Sequence, residues 1–124
     1  EQEHMEIYGS PGRLSQVVTN LVTNAIDASV PRGGGPIHVT LTHGDASIDL
    51  SVTDSGSGIA PEHLPRIFEP MFTTKPFGQG TGLGLPIVRD VVTRDFGGRV
   101  EVTSTLGLGS TFTVRFPPLR GATP

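Results

Sequence analysis

At 124 residues, with a formal net charge of −3 and no cysteine, the chain suits one domain and excludes a disulfide framework, a thiolate metal site and a basic nucleic-acid surface. No apolar run approaches the roughly 20 residues that cross a bilayer, and Glu1-Gln2-Glu3-His4 has neither the basic nor the apolar region of a signal peptide. With 35% hydrophobic and 17% charged residues, a globular domain without membrane contact, placed in the cytoplasm, is the expectation.

His4 to Tyr8 is a short candidate strand. Ser10 can cap and Pro11 suits a first helical position, and Leu14, Val17, Val18, Leu21, Val22 and Ala25 recur at helical spacing. This predicts a helix ending near Ser29, after which Pro31 and Gly33-Gly34-Gly35 turn the chain. Ile37, Val39 and Leu41, then Ile48, Leu50 and Val52, alternate with polar residues about a turn at His43-Gly44-Asp45, which predicts a hairpin with one buried face. Counting on by twos, Asp54 falls on the inward parity. Pro61 to Phe68 has room for a helical turn or two, and a second helix is expected from about Gly82 to Asp95, with Pro86 in its first turn and Gly97-Gly98 closing it. A last hairpin places Val100 and Val102, then Phe112, Val114 and Phe116, inward, and ends at Pro117-Pro118. The fold class is α+β: a two-layer sandwich with a mixed, mostly antiparallel sheet covered on one face by helices. Residues 1–118 make the domain, 119–124 a flexible tail, and the sheet face with Thr40, Thr42, Asp49, Ser51, Glu101, Thr103, Thr113 and Arg115 is expected to be wet.

Four stretches carry chemistry. Gly78-Gln79-Gly80-Thr81-Gly82-Leu83-Gly84-Leu85 opens the second helix, and a glycine-rich loop at a helix start suits phosphate through free amides and the helix dipole. Asn20, Asn24 and Asp27 form a stripe along one edge of the first helix. Asparagine competes with helical backbone hydrogen bonds, so two in register with an aspartate suggest oxygens aimed at a ligand, such as a hard cation that phosphates share. In Asp54-Ser55-Gly56-Ser57-Gly58 an inward, acceptor-only carboxylate precedes a permissive turn, an arrangement that can take the exocyclic amine of a purine. Ile67 to Phe77 joins an apolar anchor to a polar end with Lys75, as in a lid over phosphates. The competing motifs are absent: there is no Gly-x4-Gly-Lys-Ser/Thr, no dinucleotide spacing and no nucleophile elbow, while His4, His38, His43 and His63 lack metal-ligand spacing and are expected at the surface.

Together these stretches resemble the catalytic ATP-binding domain of bacterial sensor histidine kinases, in the gyrase, chaperone, histidine kinase and MutL superfamily. Gln16 to Ala25 is similar to the family's N box, Asp54 to Gly58 to its first glycine box, Phe68 to Lys75 to its F box, Gly80 to Leu85 to its second glycine box and Gly107 to Phe112 to its last. The resemblance spans residues 10–117 in the family's order.

The resemblance implies a Bergerat-type ATP site with Asn24 on Mg²⁺, Asp54 on the adenine amine and Ser110 near the base. It extends the nucleotide-binding set to Asn20, Asp27, Gly56, Gly58, Ile59, Phe68, Phe72, Thr73, Thr74, Lys75, Gly80, Thr81, Gly82, Leu83, Gly84 and Leu85. Asn20 and Lys75 are its catalytic candidates. The hydrolases and serine kinases of the superfamily usually carry a glutamate base where this chain has Asn20, and asparagine cannot take a proton. That suits a kinase whose γ-phosphate goes to a histidine on a separate dimerisation domain, and from there to a response regulator. Asp27 departs from the basic or amide residue common at its position, and the chain lacks the helical hairpin with the acceptor histidine, so a monomer that binds ATP without phosphorylating itself is expected. An ATP hydrolase of the same superfamily, and a nucleotide-sensing or docking module without transfer, are the alternatives.

Overall fold

In the computed structural model, which describes residues 7, 9–44, 46–70, 72 and 84–117, two helices lie on one face of a four-stranded sheet. Helix α1 spans Pro11–Ser29; Ser10 accepts the Arg13 N–H on its hydroxyl at 3.4 Å and Pro11 takes the first position, where its missing N–H costs nothing. A 3-10 turn over Val30–Arg32 carries the chain out of the helix. Strands β1 (Ile37–His43) and β2 (Ile48–Asp54) follow, then a 3-10 turn at Leu64–Arg66 where a helical turn or two was expected. Helix α2 runs over Gly84–Phe96, with Pro86 in its first turn; the expected start at Gly82 lies outside the described residues. The Gly98 N–H returns to the Val92 carbonyl at 3.0 Å to close it. Strands β3 (Arg99–Thr105) and β4 (Gly109–Phe116) complete the sheet, in the order β1-β2-β4-β3.

All three pairings among these strands are antiparallel. Of the candidate strand at His4 to Tyr8, Ile7 alone is described, in a single bridge; the rest of that segment, Asp45 of the hairpin turn and the tail from 118 lie outside the described residues.

The register builds the core in rows, because directly opposed residues share a face of the sheet. Val39, Val52, Phe112 and Val102 form one row, and Leu41, Leu50, Val114 and Val100 the next. Val17, Leu21 and Ala25 of α1 and Val88, Val91, Val92 and Phe96 of α2 close over them. Burying a side chain such as Phe112, 1% exposed, contributes roughly 2–3 kcal/mol. The buried face expected for the first hairpin is complete on β2 only. Val39 and Leu41 are 50% and 53% exposed. The reason is layout: α1 packs chiefly over β2 and α2 over β3, so the edge strand β1 meets only the margin of α1.

The opposite face is polar, as the alternation predicts, and bound to itself. Ser51 and Thr113 hydroxyls meet at 3.1 Å and those of Thr53 and Thr111 at 3.0 Å. Arg115 donates to Asp49 and to Glu101, and Arg99 also pairs with Glu101. The hydrogen bond from Arg115 is the largest influence on the Glu101 carboxyl and holds it below its ordinary range; desolvation opposes it, and the charges of Arg115 and Arg99 add to the lowering. Arg115 is raised in turn, first by its bond to Glu101 and then by the charge of Asp49.

Candidate functional site

One step beyond the last apolar row, the inward face turns polar. Asp54 of β2 stands opposite Ser110 of β4, and Ser110 opposite Ser104 of β3. Asp54 is 4% exposed and Ser110 6%. A carboxylate so placed costs several kcal/mol unless its oxygens are hydrogen-bonded. The Gly56 N–H supplies one such bond to Asp54 Oδ1 at 2.8 Å, using one of the roughly four lone-pair positions a carboxylate offers. Beside it, Ser104 Oγ accepts the Ile59 N–H at 2.8 Å, donates to the Gly109 carbonyl at 3.0 Å and meets Ser110 Oγ at 2.8 Å.

The turn after Asp54 is held between the end of α1 and the β3–β4 turn. Ser57 N–H donates to the Ala28 carbonyl at 3.1 Å, and Gly107 N–H to the Ser57 carbonyl at 2.7 Å. A Cβ on Gly56 would lie 2.4 Å from the Ala28 oxygen, and one on Gly58, where φ is +74°, 2.2 Å from the Thr105 oxygen. Both glycines are therefore required by the chain's own backbone, a different reason from the close approach of a flat ring that the sequence suggested. The consequence for the site is rigidity: the backbone donor that holds Asp54 is clamped by two neighbouring elements.

Helix α1 carries its polar stripe along the flank that faces the start of α2. Asn20 Nδ2 donates to the Gly84 carbonyl at 3.4 Å, so the first member of the stripe and the end of the second glycine-rich stretch meet. Asn24 and Asp27 follow on the same helix, both half-buried, and Asp27 lies one residue before the Ala28 that buttresses Gly56. Leu85, half-buried, packs against the core beneath. Among the described residues no cluster of three or more His, Cys, Asp or Glu could hold a metal unaided.

Phe68 stands edge-on to Phe112, with ring centres 6.4 Å apart, and the Arg89 guanidinium lies 5.2 Å from its ring centre. Phe72 takes Arg66 over its ring at 4.5 Å and His63 at its edge at 5.5 Å. His63 is thus half-buried where a surface position was expected, while His38 and His43 are exposed. The structure gathers Asp54, Gly56, Gly58, Ile59 and Ser110 at one end of the sheet, and Asn20 with Gly84 at the helix contact. Thr73, Thr74, Lys75, Gly80, Thr81, Gly82 and Leu83 lie outside the described residues. Ser104 is the residue that sequence reasoning missed. The parity count that found Asp54 from Val52 finds Ser104 from Val100 and Val102.

Comparison with known proteins places the chain in a family. A family model described as histidine kinase-, DNA gyrase B-, and HSP90-like ATPase matches residues 9–120. The chain is 48% identical over 112 residues to the sensor histidine kinase ZraS of Escherichia coli K12, a match covering 90% of this chain and 23% of that protein. It is 39% identical over 120 residues to the two-component sensor PprA of Pseudomonas aeruginosa, covering 93% and 13%. Among solved structures, the mycobacterial sensor histidine kinase MprB superimposes with a TM-score of 0.78 at 32% identity, over 90% of this chain and 74% of that one. Full-length ShkA, solved in complex with AMPPNP, gives 0.81 at 34% identity, over 98% and 25%. The chain spans 23% or less of the length of these two curated relatives.

Proposed function

The chain belongs to the histidine kinase-, DNA gyrase B- and HSP90-like ATPase family, as a catalytic ATP-binding domain of the sensor histidine kinase kind, and from that premise we propose that it binds Mg-ATP and donates the γ-phosphate to a histidine on a separate dimerisation domain. The observation that carries this reading is the buried Asp54 on the inward end of β2, paired with Ser110 and held by a clamped backbone N–H. A fixed, acceptor-only carboxylate at the edge of an apolar core suits the amine of a purine, whose rings take the apolar side. Val52 and Phe112 form the next row inward.

On this reading Asp54 accepts the adenine amine, Ser110 lies beside the base, and Phe68 and Phe72 anchor the segment that leads toward the phosphates. Asn24 supplies an amide oxygen to Mg²⁺, whose remaining ligands come from phosphate and water, as the lack of an acidic cluster among the described residues favours. The ion would neutralise charge on the phosphates. Asn20, tied to Gly84, positions the phosphate end and does not take a proton, so the base and the acceptor histidine come from the partner domain. Lys75 and the second glycine stretch are assigned to the phosphates, and Asp27 to the same end of α1. Transfer from that domain to a response regulator completes the reading.

Calorimetric titration of ATP, with and without Mg²⁺, into the parent and into Asp54→Asn tests it. Losing a charge-assisted bond, worth about 1.5–3 kcal/mol, should weaken binding roughly tenfold to a hundredfold. Equal affinity in both proteins would refute the purine assignment.

A further inference from the structure

Ser104 has one proton and two lone pairs to share among three partners. Ile59 N–H occupies one lone pair. All three contacts hold at once in a single arrangement: the Ser104 hydroxyl donates to the Gly109 carbonyl, and the Ser110 hydroxyl donates to the remaining lone pair of Ser104. The reverse direction, Ser104 donating to Ser110, leaves the Gly109 carbonyl without that proton. In the fully bonded arrangement Ser110 has spent its own proton, and what it can offer beside Asp54 is lone pairs.

We propose that Ser104 is a positioning residue that fixes Ser110 as a hydrogen-bond acceptor, so that Asp54 and Ser110 together admit a 6-aminopurine and reject a 6-oxopurine. The inference rests on the reading that Asp54 receives the purine amine. An amine carries two protons and satisfies two adjacent acceptors. A 6-oxo group sets its own lone pairs against the same oxygens, and a site built of acceptors penalises a ligand that cannot donate. Asp54 alone would discriminate less, since the N1–H of a 6-oxopurine can still reach a carboxylate. The second acceptor, which Ser104 imposes, removes that escape. Ser104 acts through Ser110 and needs no contact with the ligand.

The probes are ATP and ITP, which differ at the 6-position and N1, titrated into the parent chain, Ser104→Ala, Ser104→Thr, Ser104→Cys and Ser110→Ala, with each variant's melting temperature recorded. The parent should prefer ATP. In Ser104→Ala the Ser110 proton is released to turn toward the ligand, and the ATP-to-ITP affinity ratio should fall about tenfold, the scale of one hydrogen bond reversed. Ser104→Thr, which keeps the hydroxyl, should restore the ratio. Ser104→Cys keeps the volume with a weak donor and acceptor and should lower the ratio part of the way, which serves if the alanine variant does not fold. A purely structural role would weaken ATP and ITP together and leave the ratio unchanged; that result in either the alanine or the cysteine variant overturns the proposal. If Asp54→Asn binds ATP as the parent does, the reading of the site fails and this inference with it. If Asp54→Asn loses ATP while the Ser104 variants keep the parental ratio, this inference alone fails.

Discussion

On the outward face of the sheet Arg115 sits between Asp49 and Glu101, while Ser51 and Thr53 bind Thr113 and Thr111 across the strands. On the inward face Asp54, Ser110 and Ser104 line up across three of the same four strands. The outward rows are largely self-complementary, with a cation set between its carboxylates and two pairs of hydroxyls matched across the central strands. The inward row contains no cation, and its one ionised member is acceptor-only. A polar row that completes itself stabilises the sheet modestly and asks for nothing more. Among the described residues the inward row has more acceptor positions than donors, an arrangement at the end of an apolar core that suits the proposed donor ligand.

Substitutions on the two faces should therefore separate stability from nucleotide binding. The largest effect is expected from Gly56→Ala on the inward side. Its Cβ would lie 2.4 Å from the Ala28 oxygen, and overpacking of that kind costs about 2–3 kcal/mol. Urea unfolding should show that loss, and calorimetry a weaker ATP affinity, because the N–H that holds Asp54 moves. An unchanged ATP affinity in a destabilised protein would mean that the clamp matters to the fold alone. Next, Thr113→Val removes the partner of the Ser51 hydroxyl on the outward face and should cost no more than about 1 kcal/mol with ATP affinity at the parental value. A large drop in affinity would break the division between the faces.

The smallest effect is expected from Glu101→Gln, and it depends on pH. The folded-state carboxyl of Glu101 titrates below its unfolded value, first because Arg115 donates to it. Its stabilisation is thus fully present above the ordinary glutamate value and disappears as pH falls through the lowered folded value. The variant should lose less stability than the parent between neutral pH and the acid side of that range. Parallel stability profiles for the two proteins would remove Glu101 from the account.

Much of this was legible before any coordinates. Helix α1, both hairpins and the end of α2 follow from spacing, caps and glycine punctuation, because local periodicity reports local geometry. Asp54 followed from counting parity along one strand. Ser110 entered through the resemblance, although the same count reaches it from Phe112. What the sequence could not show is what sits above a strand. Val39 and Leu41 carry the same alternation as Leu50 and Val52, yet half of each is exposed because α1 sits chiefly over β2 and reaches β1 only at its margin. The role of Gly56 and Gly58 was hidden for a related reason: the atoms a Cβ would strike belong to Ala28 and Thr105, distant in sequence.

The register that sets Asp54 against Ser110 also fixes where chain entropy is spent. Each hairpin joins strands across a loop of about four residues, whereas β2 and β4 are joined across about fifty-five, which by the logarithmic scaling of loop closure adds about 2 kcal/mol to that pairing alone. The two halves of the proposed base pocket come from separate hairpins and meet only when this costlier pairing forms. A chain with both hairpins made but not yet joined holds most of its local structure and none of the proposed nucleotide site, so a ligand that binds the joined form stabilises a pairing that local structure does not secure.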